Sequence, residues 1–149
     1  MQRRHTSASR RRDGLTLVEV LIALAICGVA MAAIVSGYLC ACSAAEKSAL
    51  SQAANASVLR RVEETRCARW VISTFPPIDE VVQTNFPDNV VTLDLSAAGS
   101  GITYGTNHVV ISQISASPPI KRVRADCVWA FRGNRLFTNS VETCRAPDQ

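Results

Sequence analysis

Whole residue classes are missing from long parts of this chain. From Val20 to Ala45, 26 consecutive residues include no Asp, Glu, Lys or Arg. At about 1.5 Å per residue a helix of that length reaches about 39 Å, more than a hydrocarbon core of about 30 Å. Proline does not occur before Pro76, so nothing in the first half of the chain forbids one uninterrupted helix. Histidine is limited to His5 and His108, far apart in sequence and type of segment, which excludes a histidine pair for a metal or a catalytic triad. There is no nucleotide-binding glycine loop, Gly99-Ser100-Gly101 reading as a turn, and no Asp/Asn-rich loop has calcium-binding spacing. An enzyme, a resident metal and a cofactor are therefore not expected.

The positive charge is equally uneven. The formal net charge is +4, with 16 Lys and Arg against 12 Asp and Glu. Arg3, Arg4, Arg10, Arg11 and Arg12 all lie before Gly14, opposed there only by Asp13; the rest of the chain balances to zero. The basicity belongs to the N-terminus, where it holds that end in the cytoplasm by the positive-inside rule. Nucleic acid is accordingly not an expected partner, and Lys121, Arg122 and Arg124 read as a basic strand edge.

Six cysteines are many for 149 residues. Cys27 reads as an apolar membrane residue. Cys40 and Cys42 point about 200° apart on a helix and make no metal pair. Cys67, Cys127 and Cys144 fall in the soluble part, on the oxidising side of the membrane under that orientation, and a disulfide between two of them is expected, with the pairing open.

Along the chain, residues 1–14 are polar and basic and stand outside the fold. A helix is expected from Leu15 to Ile72: an apolar half over 15–45, then an amphipathic half over 46–73. In the second half Leu50, Ala53, Ala54, Val58, Leu59 and Val62 form the apolar face. Thr74-Phe75-Pro76-Pro77 ends the helix. Strands are expected at Glu80–Thr84, Val90–Leu95, His108–Ser115 and Lys121–Phe131, with Ala97 to Gly101 as a turn. In Lys121–Phe131 the residues Val123, Ala125, Cys127, Trp129 and Phe131 share the inward face. Arg132-Gly133-Asn134-Arg135 turns the chain into a hairpin partner at Leu136–Thr143. Asp79 and Glu80 read as solvated loop carboxylates, and Trp70 and Trp129 as packing together or into the helix–sheet interface.

The run Arg10-Arg11-Arg12-Asp13-Gly14-Leu15-Thr16-Leu17-Val18-Glu19 resembles the cleavage and assembly signal of type IV prepilins and type II secretion pseudopilins. The likeness consists of a short basic leader, a glycine before the cut, an apolar first mature residue, a glutamate fifth after it and a long uncharged helix with an early glycine, Gly28. Leu15 stands where phenylalanine is commonest in that family, and Asp13 is an acidic neighbour of the cut. The resemblance implies cleavage between Gly14 and Leu15 by a prepilin peptidase and methylation of the Leu15 amine by the same enzyme. It further implies that Glu19 meets the N-terminal amine of a neighbouring subunit during assembly. An ionised carboxylate at the edge of hydrocarbon is costly unless paired, which is the physical reason for such a partner.

Together these readings give an α+β, pilin-like fold: a leader at 1–14, a membrane and assembly helix at 15–45, and a head outside the inner membrane at 46–149. The head has helix 46–73 packed on a small antiparallel sheet within 74–149. The expected role is a subunit, of the minor kind, in a type IV pilus-like or type II secretion pseudopilus filament. Its partners would be other subunits, the peptidase, an inner-membrane assembly platform and membrane lipid. The rival readings are a membrane-anchored binding domain that never assembles, and a lipoprotein acylated at Cys42 within Leu39-Cys40-Ala41-Cys42. An ordinary secretory signal fits less well, since it would be cut after the apolar run and not before it.

Overall fold

The computed structural model describes residues 16–95 and 101–148. Its first element is a helix, α1, at Leu17–Cys67. It is followed by two short strands, β1 (Trp70–Val71) and β2 (Ile78–Asp79), and a 3₁₀ turn at Gln83–Asn85. Four longer strands complete the order: β3 (Asn89–Leu95), β4 (Ile102–Ala116), β5 (Pro119–Phe131) and β6 (Arg135–Arg145). The fold is α+β, one long N-terminal helix with a C-terminal four-stranded antiparallel sheet. The chain divides into two compact units, Met1–Ser43 and Ala44–Gln149.

In the first unit the described helix residues present apolar side chains all round, among them Leu21, Ile26, Val29, Met31, Ile34 and Leu39, all exposed. A helix apolar on every side calls for lipid or other helices around it. It is the one helix among the described residues long and apolar enough to cross a membrane. Gly28 and Gly37 leave it unbroken, and nothing approaches either position.

In the second unit the sheet is a meander, β3-β4-β5-β6, with each strand antiparallel to the next. Two-residue alternation sends Val109, Val123, Ala125, Cys127 and Trp129 to the buried face and Arg122, Arg124, Thr138 and Glu142 to the other. Leu50, Ala54, Val58 and Val62 of α1 are buried with that inner face in one core, which also takes Trp70, Val81 and Phe86. Trp129 stacks on Phe137 at 5.1 Å between ring centroids, and its indole N–H donates to Asn139 Oδ1 at 2.7 Å. Asn139 Nδ2 in turn donates to Ser51 Oγ at 3.0 Å and Asn55 Oδ1 at 2.9 Å. Asn139 of the sheet is thus satisfied from the helix.

The expected strand at Glu80–Thr84 does not form. Pairing occurs instead at Ile78–Asp79 with Trp70–Val71, and the next residues curl into the 3₁₀ turn. From there the Gln83 side chain donates from Nε2 to Val109 O and accepts from Ile111 N–H at 2.9 Å. A carboxamide carries one donor and one acceptor, as a peptide group does, so Gln83 stands in for a strand where β4 runs on past the end of β3. The β4 strand itself begins at Ile102, six residues before the expected start, because Gly105, Thr106 and Asn107 weaken the strand pattern without preventing the ladder.

The helix ends at Cys67 and not at Ile72, for a reason far away in sequence. Arg145 of β6 donates from Nη1 to Thr65 O and from Nη2 to Ala68 O, satisfying carbonyls that a helix end leaves free. Asp148 closes the same corner: its carboxylate accepts from Trp70 N–H at 2.8 Å, and its own N–H donates to Trp70 O at 2.7 Å. Trp70 is thereby drawn into strand pairing instead of a further helical turn. Asp79 and Glu80 are not merely solvated. Lys121 Nζ lies 2.7 Å from Asp79 Oδ1 and donates to Val81 O, and Glu80 accepts from Arg69 N–H at 2.8 Å. Arg122 and Arg124 pair with Glu142 and Asp126, so the expected basic patch is neutralised in place.

Two outcomes test this packing. A Cβ added at Gly105 would sit 2.7 Å from Cys127 Sγ and 3.0 Å from Leu93 Cδ1, so G105A should lower stability by about 1–3 kcal/mol. Denaturant unfolding should show most of that loss recovered in G105A combined with C127A, where the clashing sulfur is gone. The Trp70 N–H, and next the Arg145 guanidinium, hold the Asp148 carboxyl below its ordinary value of 3.8. A depressed acid stabilises above its unfolded pKa and loses that contribution as pH falls through the folded one. The melting temperature of wild type should therefore exceed that of D148N by a constant margin above pH 3.8, and the margin should close below it.

Candidate processing and assembly site

The start of α1 is written locally. Thr16 is the N-cap: its carbonyl already accepts the first helical hydrogen bond, from Val20 N–H at 3.2 Å. Three residues on, Glu19 N–H donates to Thr16 Oγ1 at 3.3 Å, while Glu19 Oε2 accepts from Thr16 N–H at 3.2 Å and from the Thr16 hydroxyl at 3.3 Å. This reciprocal arrangement is a capping box, which satisfies two backbone donors that a helix start otherwise leaves free. The first turn also places the Glu19 carboxylate at the positive end of the helix dipole.

Glu19 is thus partnered within its own chain, and it is the only charged residue between Leu15 and Ala45. Gly14 and Leu15, the expected cleavage and methylation positions, lie outside the described residues. Thr16 is a capping residue that the charge and hydropathy pattern does not mark. Its signal is the spacing Thr-x-x-Glu ahead of an apolar run, which is itself a capping-box pattern.

The expected disulfide is absent, and the strand register explains why. Cys67, Cys127 and Cys144 are all free. Cys127 lies on the helix-facing side of β5, wholly buried, and burial pushes its thiol above the ordinary 9.0. Cys144 is exposed beside Arg145, and because Arg145 turns toward α1, Cys144 turns away from it. Cys127 pairs in register with Asn139, which bonds to Ser51 and Asn55. Cys67 lies a further twelve residues along α1 from Asn55, about 18 Å, while a disulfide needs Cα atoms within about 7 Å. None of the three pairs meets. Among the described residues no group of His, Cys, Asp and Glu is arranged to hold a metal ion.

A helix long and apolar enough to cross a membrane, opened by one capping carboxylate, precedes an α+β head. Residues 9–35 match the family model described as the prokaryotic N-terminal methylation motif. The chain therefore carries the prepilin-type N-terminal motif, which supports the type IV pilin and pseudopilin family and points to a structural protein that meets other pilin subunits and a prepilin peptidase. No curated protein and no solved structure matches the chain.

Replacing Thr16 by Val removes the hydroxyl that receives the Glu19 N–H. With an N-cap worth about 0.5–2 kcal/mol, T16V should speed amide exchange at Glu19 by about 2- to 30-fold, read by hydrogen–deuterium exchange in detergent micelles. Exchange further along the helix, at Ile34 for example, should not change.

Proposed function

We propose that this chain is a subunit, of the minor kind, of a type IV pilus-like or type II secretion pseudopilus filament. In this reading a prepilin peptidase cuts after Gly14, the leader holding the N-terminus in the cytoplasm, and methylates the Leu15 amine. The apolar part of α1 anchors the subunit in the inner membrane until an assembly platform draws it into the filament. The head, outside that membrane, then lies on the filament surface.

The observation that carries the reading is the pairing of the methylation motif at residues 9–35 with a lone carboxylate, Glu19, at the mouth of an uncharged helix. A cut after Gly14 creates an ammonium on Leu15, one residue from Thr16, whose N–H is already held by Glu19. An amine arriving from a neighbouring copy finds the same carboxylate already oriented by its cap. Charge pairing between the two sets axial register, and helix packing contributes the rest of the association.

Because Glu19 also caps its own helix, a test has to separate the two roles. Glutamine serves in a capping box as glutamate does, but it offers no charge to an amine. Glu19→Gln should therefore leave membrane insertion and cleavage intact while cutting filament incorporation at least about tenfold, the equivalent of about 1.4 kcal/mol of lost pairing. Wild-type incorporation of E19Q would end the assembly role. Intact-mass measurement of the mature protein should give a chain starting at Leu15 with one added methyl; a lipid-bearing chain starting at Cys42 would establish the lipoprotein reading instead.

A further inference from the structure

Where α1 passes the β3–β4 side of the sheet, the second unit contains a cavity of about 70 Å³. Ser57, Arg60, Arg61 and Glu64 line it from the helix, and Asn89 and Asn107 from the strands. Arg61 is 8% exposed and Asn107 1%. Arg61 Nη1 donates to Glu64 Oε2 at 2.5 Å and Nη2 to Pro87 O at 2.6 Å, yet its Nε–H meets no acceptor among the described residues. Asn107 Nδ2 donates to Ser57 Oγ at 2.8 Å and Asn89 Oδ1 at 3.1 Å, yet its Oδ1 meets no donor among them. One buried donor and one buried acceptor are left over on two residues that line one cavity. Leaving either unsatisfied costs about 1–3 kcal/mol, a large part of the roughly 5–15 kcal/mol that holds a typical domain together.

The chemistry of the walls selects the occupant. A cation is repelled by Arg61. An anion would gain from Arg61 but would face the Asn107 oxygen and the Glu64 carboxylate. An apolar molecule would leave both orphans unpaired. What fits is a small neutral group that accepts from one side and donates to the other, and a single water needs only about 10–15 Å³ of such space. We propose that this cavity is a hydration site whose resident water accepts from Arg61 Nε–H and donates to Asn107 Oδ1, joining α1 to the sheet. Arg61 then uses all three nitrogens at once, on Glu64, on Pro87 and through water on Asn107. Lysine has no Nε–H fork and cannot reproduce that geometry.

The site can be tested on the mature, full-length chain in detergent micelles, with water itself as the probe. Water–protein cross-relaxation by NMR should show long-lived water contacts at Arg61 Hε, and Arg61 Hε should exchange at least about tenfold more slowly than Hε of the exposed Arg60. N107L removes the acceptor and should abolish the water contact at Arg61 Hε. Bulk-rate exchange of Arg61 Hε in the wild type, with no water contact, would overturn the proposal without any variant having to fold. A saturable shift of the Arg61 Hε resonance with chloride or formate would overturn it too, in favour of an anion site.

Discussion

The head depends on one stripe of α1. Leu50, Ala54, Val58 and Val62, with Thr65 beyond them, recur at four-residue and then three-residue steps and are all buried. That spacing is the signature of a helix laid on a flat apolar surface, and the inner face of the sheet supplies the surface. Full burial of each large aliphatic side chain stabilises by about 1.5–3 kcal/mol. The ion pairs on the open face of the same helix, such as Arg66 with Glu63, contribute only about 0–1 kcal/mol each. The stripe therefore decides where the helix lies, and the charges outside it decorate a position already chosen. Polar contacts along the seam, from Asn139 to Ser51 and Asn55 and from Asn107 to Ser57, then select one registration of helix on sheet.

Much of this architecture is legible in the amino-acid sequence. The uncharged run, the missing prolines and the apolar face of residues 50–62 spell out the helix, and strict alternation from Val123 to Trp129 spells out β5 with the correct face inward. The parts that are not legible share a cause: they are fixed by contacts between distant residues. The helix stops at Cys67 because Arg145 and Asp148 take its last carbonyls and the backbone of Trp70. Glu80–Thr84 fails as a strand because Gln83 serves β4 with its side chain instead. Cysteine spacing carries no information about faces, which only strand register assigns, and so a disulfide looks available where the cysteines stand free.

The helix start departs from expectation in a different way. In the sequence Glu19 stands out as a charge without a reason inside an apolar run. The structure supplies a local reason, the exchange of hydrogen bonds with Thr16, which an anchor of any purpose would value. A residue that completes its own helix and also presents a carboxylate to solvent is held in one orientation at little further entropic cost. The cap does not compete with the proposed pairing to a neighbouring amine, since a carboxylate has acceptor capacity to spare.

The corner built by Trp70 and Asp148 also has a bearing on the order of events at the ribosome. The two residues are 78 positions apart, and at about 5–20 residues per second their synthesis is separated by about 4 to 16 s. During that interval the whole of α1 has been made, while the groups that terminate it do not yet exist. The apolar half of α1 is thus complete before the clasp that closes the head exists, an order set by where the clasp sits in the sequence.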